Sequence, residues 1–293
     1  MKFSNNNSYT VKFFRQKLAL ALSALLLANG TLSASEETGG IKLYALNCGT
    51  LEMFDAGNFS SAGQFDGQKA ELVDPCFLIR HPKGDLLWDT GLSQSIADMP
   101  NGELETWGHK TVAVKLSDQL EQLGLTPKDI EFLSLSHYHG DHSGNANLFA
   151  TSTFIANLAE HEFMFSKAMR AQAVAFAPYA ALENSNTVLF ETEHDVFGDG
   201  TAVIKSMPGH TPGHSVLMLR LERTGTILLT GDLYIMKASR ALKAVPSFNS
   251  DKIATLQSMK LFEALATREK ARVIIQHEKS DFRSLPPFPA FLD

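Results

Sequence analysis

Short apolar runs and longer amphipathic segments alternate along residues 41–280 of the chain. Apolar runs of a few residues, bounded by Gly, Pro or Asp, are typical of strands. The pattern predicts strands over residues 41–46, 76–79, 86–88, 130–135, 216–221, 226–229 and 272–276. A short turn separates residues 76–79 from 86–88 and another separates 216–221 from 226–229, so each pair is expected to form a β-hairpin.

Three amphipathic segments predict helices. Apolar residues at positions 112, 116, 120 and 123 share one face of a helix, and Gly124 favours its termination. A second helix is predicted over residues 158–177. A third is predicted to start at a cap, either Asn249 or Ser250, and to run to residue 266.

The two halves of this pattern are similar. One hairpin ends in the turn at residues 89–91, the other in the turn at residues 230–232, and each turn contains an Asp. Two such halves favour an α/β fold with two sheets packed face to face, helices outside, and a site where strand ends meet. No Pro, Ser or charge-rich linker interrupts residues 40–285, so residues 35–293 are predicted to form one domain.

The first 34 residues have a different composition. Four basic residues and no acidic one lie in this segment, followed within it by an apolar run over residues 18–28 and then by small and polar residues. This is the pattern of a signal peptide, so residues 1–34 are expected to be removed from a secreted or periplasmic protein. An N-terminal anchor is the less favoured alternative, because the run is about half the roughly 20 residues of a membrane span. No stable membrane insertion is expected.

Export would change the charge and the redox environment of the chain. The mature protein would carry 22 Lys and Arg against 32 Asp and Glu, a net charge of −10, which makes nucleic acid an unsuitable partner. Cys48 and Cys76 each lie in or beside an apolar run. An oxidising compartment permits one disulfide between them, but two buried thiols are the favoured expectation.

The segment from His137 to His142 concentrates four potential metal ligands in six residues, directly after an apolar strand. Core packing does not require such a concentration. His137 and His139, two residues apart on an extended segment, point to the same side and can hold one ion, while Asp141 and His142 can face a second. Imidazole and carboxylate without thiolate fit zinc first, with iron, manganese or cobalt as alternatives. Two divalent cations, with zinc the expected metal, are therefore predicted.

This His-x-His-x-Asp-His motif resembles that of the metallo-β-lactamase superfamily, whose fold is a four-layered αβ/βα sandwich. Later in the chain, His210, Asp232 and His277 match the remaining ligand positions of that superfamily in order. The resemblance implies that three histidines hold one ion, namely His137, His139 and His210. It implies that the other ion is held by Asp141, His142 and His277. Asp232 would bridge both ions.

Within the superfamily the chain most resembles the N-acyl homoserine lactonases, through residues 72–80, 86–91 and 245–249. The resemblance implies a dinuclear-metal hydrolase that opens lactone rings by attack of a metal-bridging hydroxide. Asp141 or Asp232 would carry the proton to the leaving group. His214 and Asp89 are expected to orient the metal ligands.

One position departs from the lactonase pattern. Lactonases often have a substrate-contacting Tyr three residues after the bridging Asp, where this chain has Ile235. Tyr234, one residue earlier, is the candidate for the same catalytic role, and a packed loop tyrosine is the alternative.

Other hydrolases of the superfamily, acting on phosphotriesters, thioesters or β-lactams, are alternative functions. A β-lactamase is less favoured because Asp232 supplies a bridging carboxylate that those enzymes lack. From another class, a non-catalytic periplasmic metal-binding protein is the alternative, although metal storage gains nothing from a bridging carboxylate.

The expected substrate is a small lactone or ester with an apolar tail, and a second copy of the chain, in a homodimer, is the other partner considered. Two groups of apolar residues are candidates to line a cleft for the tail, with core packing as the alternative. The first group is Met53, Phe54, Phe59 and Phe65. The second group is Phe163, Met164, Phe176 and Tyr179.

Overall fold

The computed structural model describes residues 40–293, which form two β-sheets with helices on their outer faces. The predicted signal peptide lies outside the described residues. Among residues 40–293, no helix combines the length and the apolar character that a membrane crossing requires.

Thirteen strands make up the two sheets among the described residues. The first sheet contains β1 (Lys42–Met53), β2 (Ala70–His81), β3 (Gly84–Trp88), β4 (Glu103–Leu104), β5 (Gly108–Thr111), β6 (Phe132–Ser134), β7 (Thr153–Asn157) and β8 (Thr187–Phe190), in the spatial order β4-β5-β1-β2-β3-β6-β7-β8. The second contains β9 (Glu193–Asp195), β10 (Ala202–Ser206), β11 (Ser215–Leu221), β12 (Gly225–Leu229) and β13 (Arg272–Ile274), in the order β13-β12-β11-β10-β9.

The α-helices are short, with one exception. They are α1 (Leu116–Gln122), α2 (Gly140–Ser143), α3 (Leu158–Met164), α4 (Lys167–Arg170), α5 (Ala173–Phe176), α6 (Lys237–Leu242), α7 (Lys252–Arg268) and α8 (Lys279–Phe282). Short 3-10 helices lie at Gly57–Phe59, Gln94–Asp98, Pro127–Asp129, Ala146–Phe149, Ala177–Asn184 and Gly231–Leu233.

The strands bury both of their faces, which makes the fold four layers thick. On β2, Phe77 and Ile79 belong to the core between the two sheets, whereas Leu78 packs in a second core against α1 and α3. On β12, Leu229 faces the central core and Leu228 faces α7. Because successive side chains of a strand point to opposite faces, apolar residues at consecutive positions require cover on both sides. The predicted αβ/βα sandwich is confirmed.

The strand directions bring the candidate ligands to one edge of the sandwich. In the first sheet β3 and β6 run parallel, so Asp89 and His137, which follow them, lie at the same edge. In the second sheet β12 and β13 are parallel, and Asp232 and His277 follow their carboxyl ends. Ligands that are 140 residues apart in sequence therefore meet where the parallel strands end.

All three predicted helices differ from the observed ones. The first begins at Leu116, so Val112 lies outside it and packs in a different core from Leu116. Residues 158–177 form three short helices rather than one, because the Ser166 side chain accepts a hydrogen bond from the Met169 backbone N–H and starts a new helix there. The late helix, α7, is capped by Asp251, whose carboxylate accepts from the Ala254 N–H at 2.9 Å. Neither predicted cap is used, and Asn249 contacts His210 instead.

Cys48 and Cys76 form a disulfide between β1 and β2, so the expectation of two buried thiols was wrong. The register of the two strands shifts between Asn47 and Thr50, and both cysteines face the core beneath α1. Their Cα atoms are consequently 5.8 Å apart, within the range that a disulfide requires. The sequence pattern indicated the strands but not their pairing.

Candidate metal centre

Three imidazole nitrogens converge at the edge of the first sheet. The His137 Nε2 lies 2.8 Å from the His139 Nδ1, and the His210 Nε2 lies 3.1 Å from each of them. His137 and His139 lie in the loop between β6 and α2, and His210 lies between β10 and β11. We call these three histidines the first ligand group.

The protonation of His210 leaves a lone pair directed at the other two imidazoles. The Asn249 side-chain oxygen lies 2.9 Å from the His210 Nδ1 and can only accept a hydrogen bond, so the Nε2 of a neutral His210 has no proton. Burial, followed by the nearby histidines, holds the pKa of His137 well below its usual range, and burial also holds the pKa of His210 well below it. Neutral imidazoles whose nitrogens lie about 3 Å apart are suited to a shared cation.

The second ligand group consists of Asp141, His142 and His277. The Nε2 atoms of the two histidines are 3.2 Å apart, and the Asp141 Oδ2 lies 3.7 Å from the His277 Nε2. Each ring is oriented through its other nitrogen. The His142 Nδ1 donates to the Asp89 carboxylate at 2.9 Å, and the His277 Nδ1 donates to the Val73 carbonyl at 2.8 Å.

Asp232 directs one carboxylate oxygen towards each group. Its Oδ1 lies 3.2 Å from the His142 Nε2 and 3.0 Å from the His277 Nε2. Its Oδ2 lies 3.4 Å from the His210 Nε2 and 3.8 Å from the His137 Nε2. Within the described residues the buried Oδ1 makes no hydrogen bond of good geometry, although the His142 and His277 imidazole nitrogens lie close to it. A buried carboxylate oxygen of this kind beside imidazole nitrogens fits a bridging metal ligand.

Charge at the centre favours cations. Burial opposes protonation of His277, but the Asp232 carboxylate outweighs it and raises the His277 pKa to about 9. Likewise, Asp232, Asp89 and Asp141 overcome burial and raise the pKa of His142. Burial works against ionisation of Asp232, yet His277 and His142 hold its pKa well below the usual range. The negative charge that draws protons to these imidazoles would draw divalent cations to the same place.

The two predicted supporting residues contact the ligands directly. The Asp89 carboxylate accepts hydrogen bonds from the Ser136 N–H at 2.6 Å and from the Gln276 side chain at 2.6 Å, besides that from His142. His214 accepts from the Asp232 N–H at 2.9 Å and has its other ring nitrogen 3.0 Å from the Met207 carbonyl. Both residues therefore orient the ligands through their hydrogen bonds.

Sequence reasoning missed three supporting groups: Asn249, the Val73 carbonyl and Glu160. Val73 and Asn249 lie 204 and 39 residues from the histidines they contact, so local spacing contains no signal for either pair. Glu160 hydrogen-bonds to residues on both loops of the first ligand group. An acidic residue in the first turn of an amphipathic helix is common, so its sequence context did not mark it.

Comparison with known proteins gives the family. The family described as the metallo-β-lactamase superfamily matches residues 72–277. This chain belongs to the metallo-β-lactamase superfamily.

Individual proteins similar to this chain match most of its length. The N-acyl homoserine lactonase AttM of Azorhizobium caulinodans is 30% identical over 269 residues, which are 86% of this chain and 99% of AttM. An N-acyl homoserine lactone hydrolase solved with N-hexanoyl-L-homoserine at its catalytic metal centre is 24% identical, with a TM-score of 0.72 over 85% of this chain and 98% of that one. AidC, a dizinc quorum-quenching lactonase, is 16% identical, with a TM-score of 0.61 over 86% and 89% of the two chains.

The Tyr234 side chain does not contact the ligands of the metal centre. Its hydroxyl donates to the Glu263 carboxylate at 2.9 Å, and its ring packs on Phe262 beneath α7. The Arg240 guanidinium lies over the ring and pairs with the same Glu263. Ile235 packs in a separate core with Phe59 and Phe65. The alternative of a packed tyrosine therefore agrees with the geometry, and the predicted substrate contact does not.

The candidate tail-binding residues divide between core and surface. Met164 and Tyr179 are buried in the core under the first sheet, with Phe163 and Phe176 packed against it. Phe59 and Phe65 are buried in another core, with Met53 packed against it, so for these seven residues core packing is the better description. Phe54 is 44% exposed and lines a cleft of about 540 Å³ with Trp107 and Ser247. Phe248 follows Ser247 in the chain, and its ring centroid lies 5.7 Å from that of His210 and 6.4 Å from that of His139.

Proposed function

We propose that this chain is a dinuclear-metal hydrolase that opens the ring of N-acyl homoserine lactones. The observation that carries the proposal is the Asp232 carboxylate, whose two oxygens face two separate ligand groups. Two-metal sites of this kind can activate water for attack on an ester at neutral pH. AttM, 30% identical over nearly its whole length, is named as an N-acyl homoserine lactonase.

The proposed ligands are His137, His139 and His210 for one cation and Asp141, His142 and His277 for the other, with Asp232 shared. Zinc is the proposed metal, because the donors are imidazole nitrogens and carboxylate oxygens, and because the similar AidC is described as a dizinc enzyme. When bound, two such cations supply Lewis-acid polarisation of a carbonyl and activation of water.

The two carboxylates of the site differ in what they can do. The Asp232 side chain is 5% exposed and has an oxygen directed at each ligand group, so it holds the two halves together. The Asp141 side chain is 24% exposed, so solvent and a substrate can reach it more easily. Ring opening leaves an alkoxide that needs a proton, and the Asp141 carboxylate is the better placed of the two to take the proton released by the attacking water and pass it to that alkoxide.

The apolar side chains beside the ligands are suited to the acyl tail of the proposed substrate. Phe248, which is 46% exposed, lies beside His210 and directly follows Ser247, a residue that lines the cleft containing Phe54 and Trp107. A tail in that cleft would cover these exposed aromatic surfaces. Each buried CH₂ would then contribute up to about 0.8 kcal/mol to binding.

The test is hydrolysis of acyl-homoserine lactones of increasing chain length by zinc-loaded protein. Because binding free energy grows with buried tail, we expect kcat/KM to rise by up to about fourfold for each added CH₂ and then to level off once the cleft is filled. Ring opening is measured through the proton that hydrolysis releases into a weakly buffered solution.

The control variant Phe248→Ala should flatten this dependence and leave the shortest lactone least affected. Absence of ring opening at every length would reject the lactonase proposal. Phosphotriesters, thioesters and β-lactams in the same panel would then identify the alternative hydrolase, and inactivity on all of them with two bound cations would favour a metal-binding protein.

We also propose that the protein is exported. The support is the basic and apolar composition of residues 1–34 together with the disulfide between Cys48 and Cys76, a bond typical of oxidising compartments. Protein recovered from the producing cells should begin near Thr31 or Ser35, as N-terminal sequencing or intact mass would show. An intact Met1 on the exported protein would contradict the proposal.

A further inference from the structure

Glu160 is a buried carboxylate at the start of α3, and it belongs neither to the metal ligands nor to any sequence motif recognised above. It is 2% exposed. Its Oε1 accepts a hydrogen bond from the Tyr138 N–H at 2.9 Å. Its Oε2 accepts from the Thr211 hydroxyl and from the Gly213 N–H, each at 2.8 Å.

These donors lie on two different loops, and both loops carry ligands. Tyr138 is the residue between His137 and His139, and Thr211 follows His210 directly. One carboxylate therefore links the loop after β6 to the loop after β10. The first ligand group consists of histidines from these two loops, so the distance between its members depends on this link.

The close packing around Glu160 supports the same conclusion. A Cβ atom at Gly213 would lie 2.3 Å from the Glu160 backbone nitrogen, so a residue with a side chain cannot occupy position 213 without moving the loop away from α3. Burying a carboxylate is costly unless it is hydrogen-bonded, and three donors from the two loops meet that need here. Glu160 and Gly213 together hold the His210 loop against α3.

The second ligand group is supported by other residues. His142 is oriented by Asp89, and His277 by the Val73 carbonyl. The hydrogen bonds of Glu160 do not involve Asp89 or Val73. Loss of Glu160 should therefore affect the two groups unequally.

We propose that Glu160 is a positioning residue that sets the affinity of the first ligand group for its cation by fixing His137 and His139 relative to His210. This rests on the two-cation site of the proposed function. It makes no claim about the substrate.

The test is the Glu160→Gln variant, which keeps the size of the side chain. The Gln amide has only one accepting oxygen, so in either orientation its NH₂ group faces a donor, either the Tyr138 N–H or the Thr211 hydroxyl and Gly213 N–H. The hydrogen bonds to one of the two loops are therefore lost. Metal-stripped protein is titrated with Zn²⁺ against a chromophoric chelator. We expect the affinity of one site to fall about 10- to 100-fold, as is usual when a residue supporting a metal ligand is lost, while the other site stays at the wild-type value.

Three further variants make the result specific. His210→Ala removes a first-group ligand and gives the reference titration for a protein with the second site alone. Asp85→Asn alters another buried carboxylate, which pairs with Arg80 on β2, and should leave both affinities unchanged. Thr211→Val removes a single donor to Glu160. It should produce a smaller loss at the same site, and it keeps the proposal testable if Glu160→Gln does not fold.

Wild-type affinity at both sites in folded Glu160→Gln or Thr211→Val would overturn the inference. So would an equal loss at both sites accompanied by a lower unfolding temperature, because that result indicates a general structural role. Failure of the wild-type protein to bind two Zn²⁺ ions would instead overturn the proposed function, so the two failures are distinguishable.

Discussion

Replacing Asp232 with Ala should lower the bound metal from two ions per chain towards one and reduce kcat/KM for lactones by more than about 100-fold. The physical reason is that one carboxylate faces both ligand groups, with Oδ1 near His142 and His277 and Oδ2 near His210. A residue that only supports a metal ligand typically costs 10- to 100-fold when lost, so a shared ligand should cost more. Elemental analysis and steady-state kinetics measure the two effects.

Tyr234→Phe is the matched control for this variant. Tyr234 is two residues from Asp232 in sequence but lies outside the ligand groups. Its hydroxyl donates a hydrogen bond to Glu263 on α7. Metal content and kcat/KM should both stay near the wild-type values. Two ions per chain with normal turnover in Asp232→Ala would contradict the bridging assignment, whatever the result for Tyr234→Phe.

Removing both cations by chelation and gel filtration should abolish lactone hydrolysis and lower the unfolding temperature. Without cations, the His137 and His210 Nε2 atoms lie 3.1 Å apart in a buried space beside the Asp232 carboxylate. A ligand that binds the folded state alone, at 100 times its dissociation constant, stabilises that state by about 2.7 kcal/mol. Each tightly bound cation should contribute at least that much.

Restoring Zn²⁺ should recover both activity and unfolding temperature, which separates metal loss from irreversible damage. The Asp85→Asn variant, altered far from the ligands, should respond to chelation and restoration as the wild type does. Full turnover by protein shown to contain less than about one ion per ten chains would reject the metal-dependent reaction.

The sequence by itself determined the chemistry of the ligands. Four of the ligands lie within six residues, namely His137, His139, Asp141 and His142. A strand followed by a turn necessarily places such closely spaced side chains near one another, so this motif can be recognised without knowledge of the tertiary structure. The strand pattern on β2 and β12 also predicted the layers, because apolar residues at consecutive positions must be covered on both faces.

Only the tertiary structure decided which distant groups meet. The pairing of Cys48 with Cys76 depends on the register of β1 and β2, which a one-residue shift would change without altering the hydrophobic content of either strand. Tyr234 is one residue from the position expected of a substrate contact, and that single step turns its side chain towards Glu263 instead of the metal ligands. Glu160 acts across 22 residues on one loop and 51 on the other. Such contacts are made by the packing of whole elements, so no local spacing in the chain encodes them.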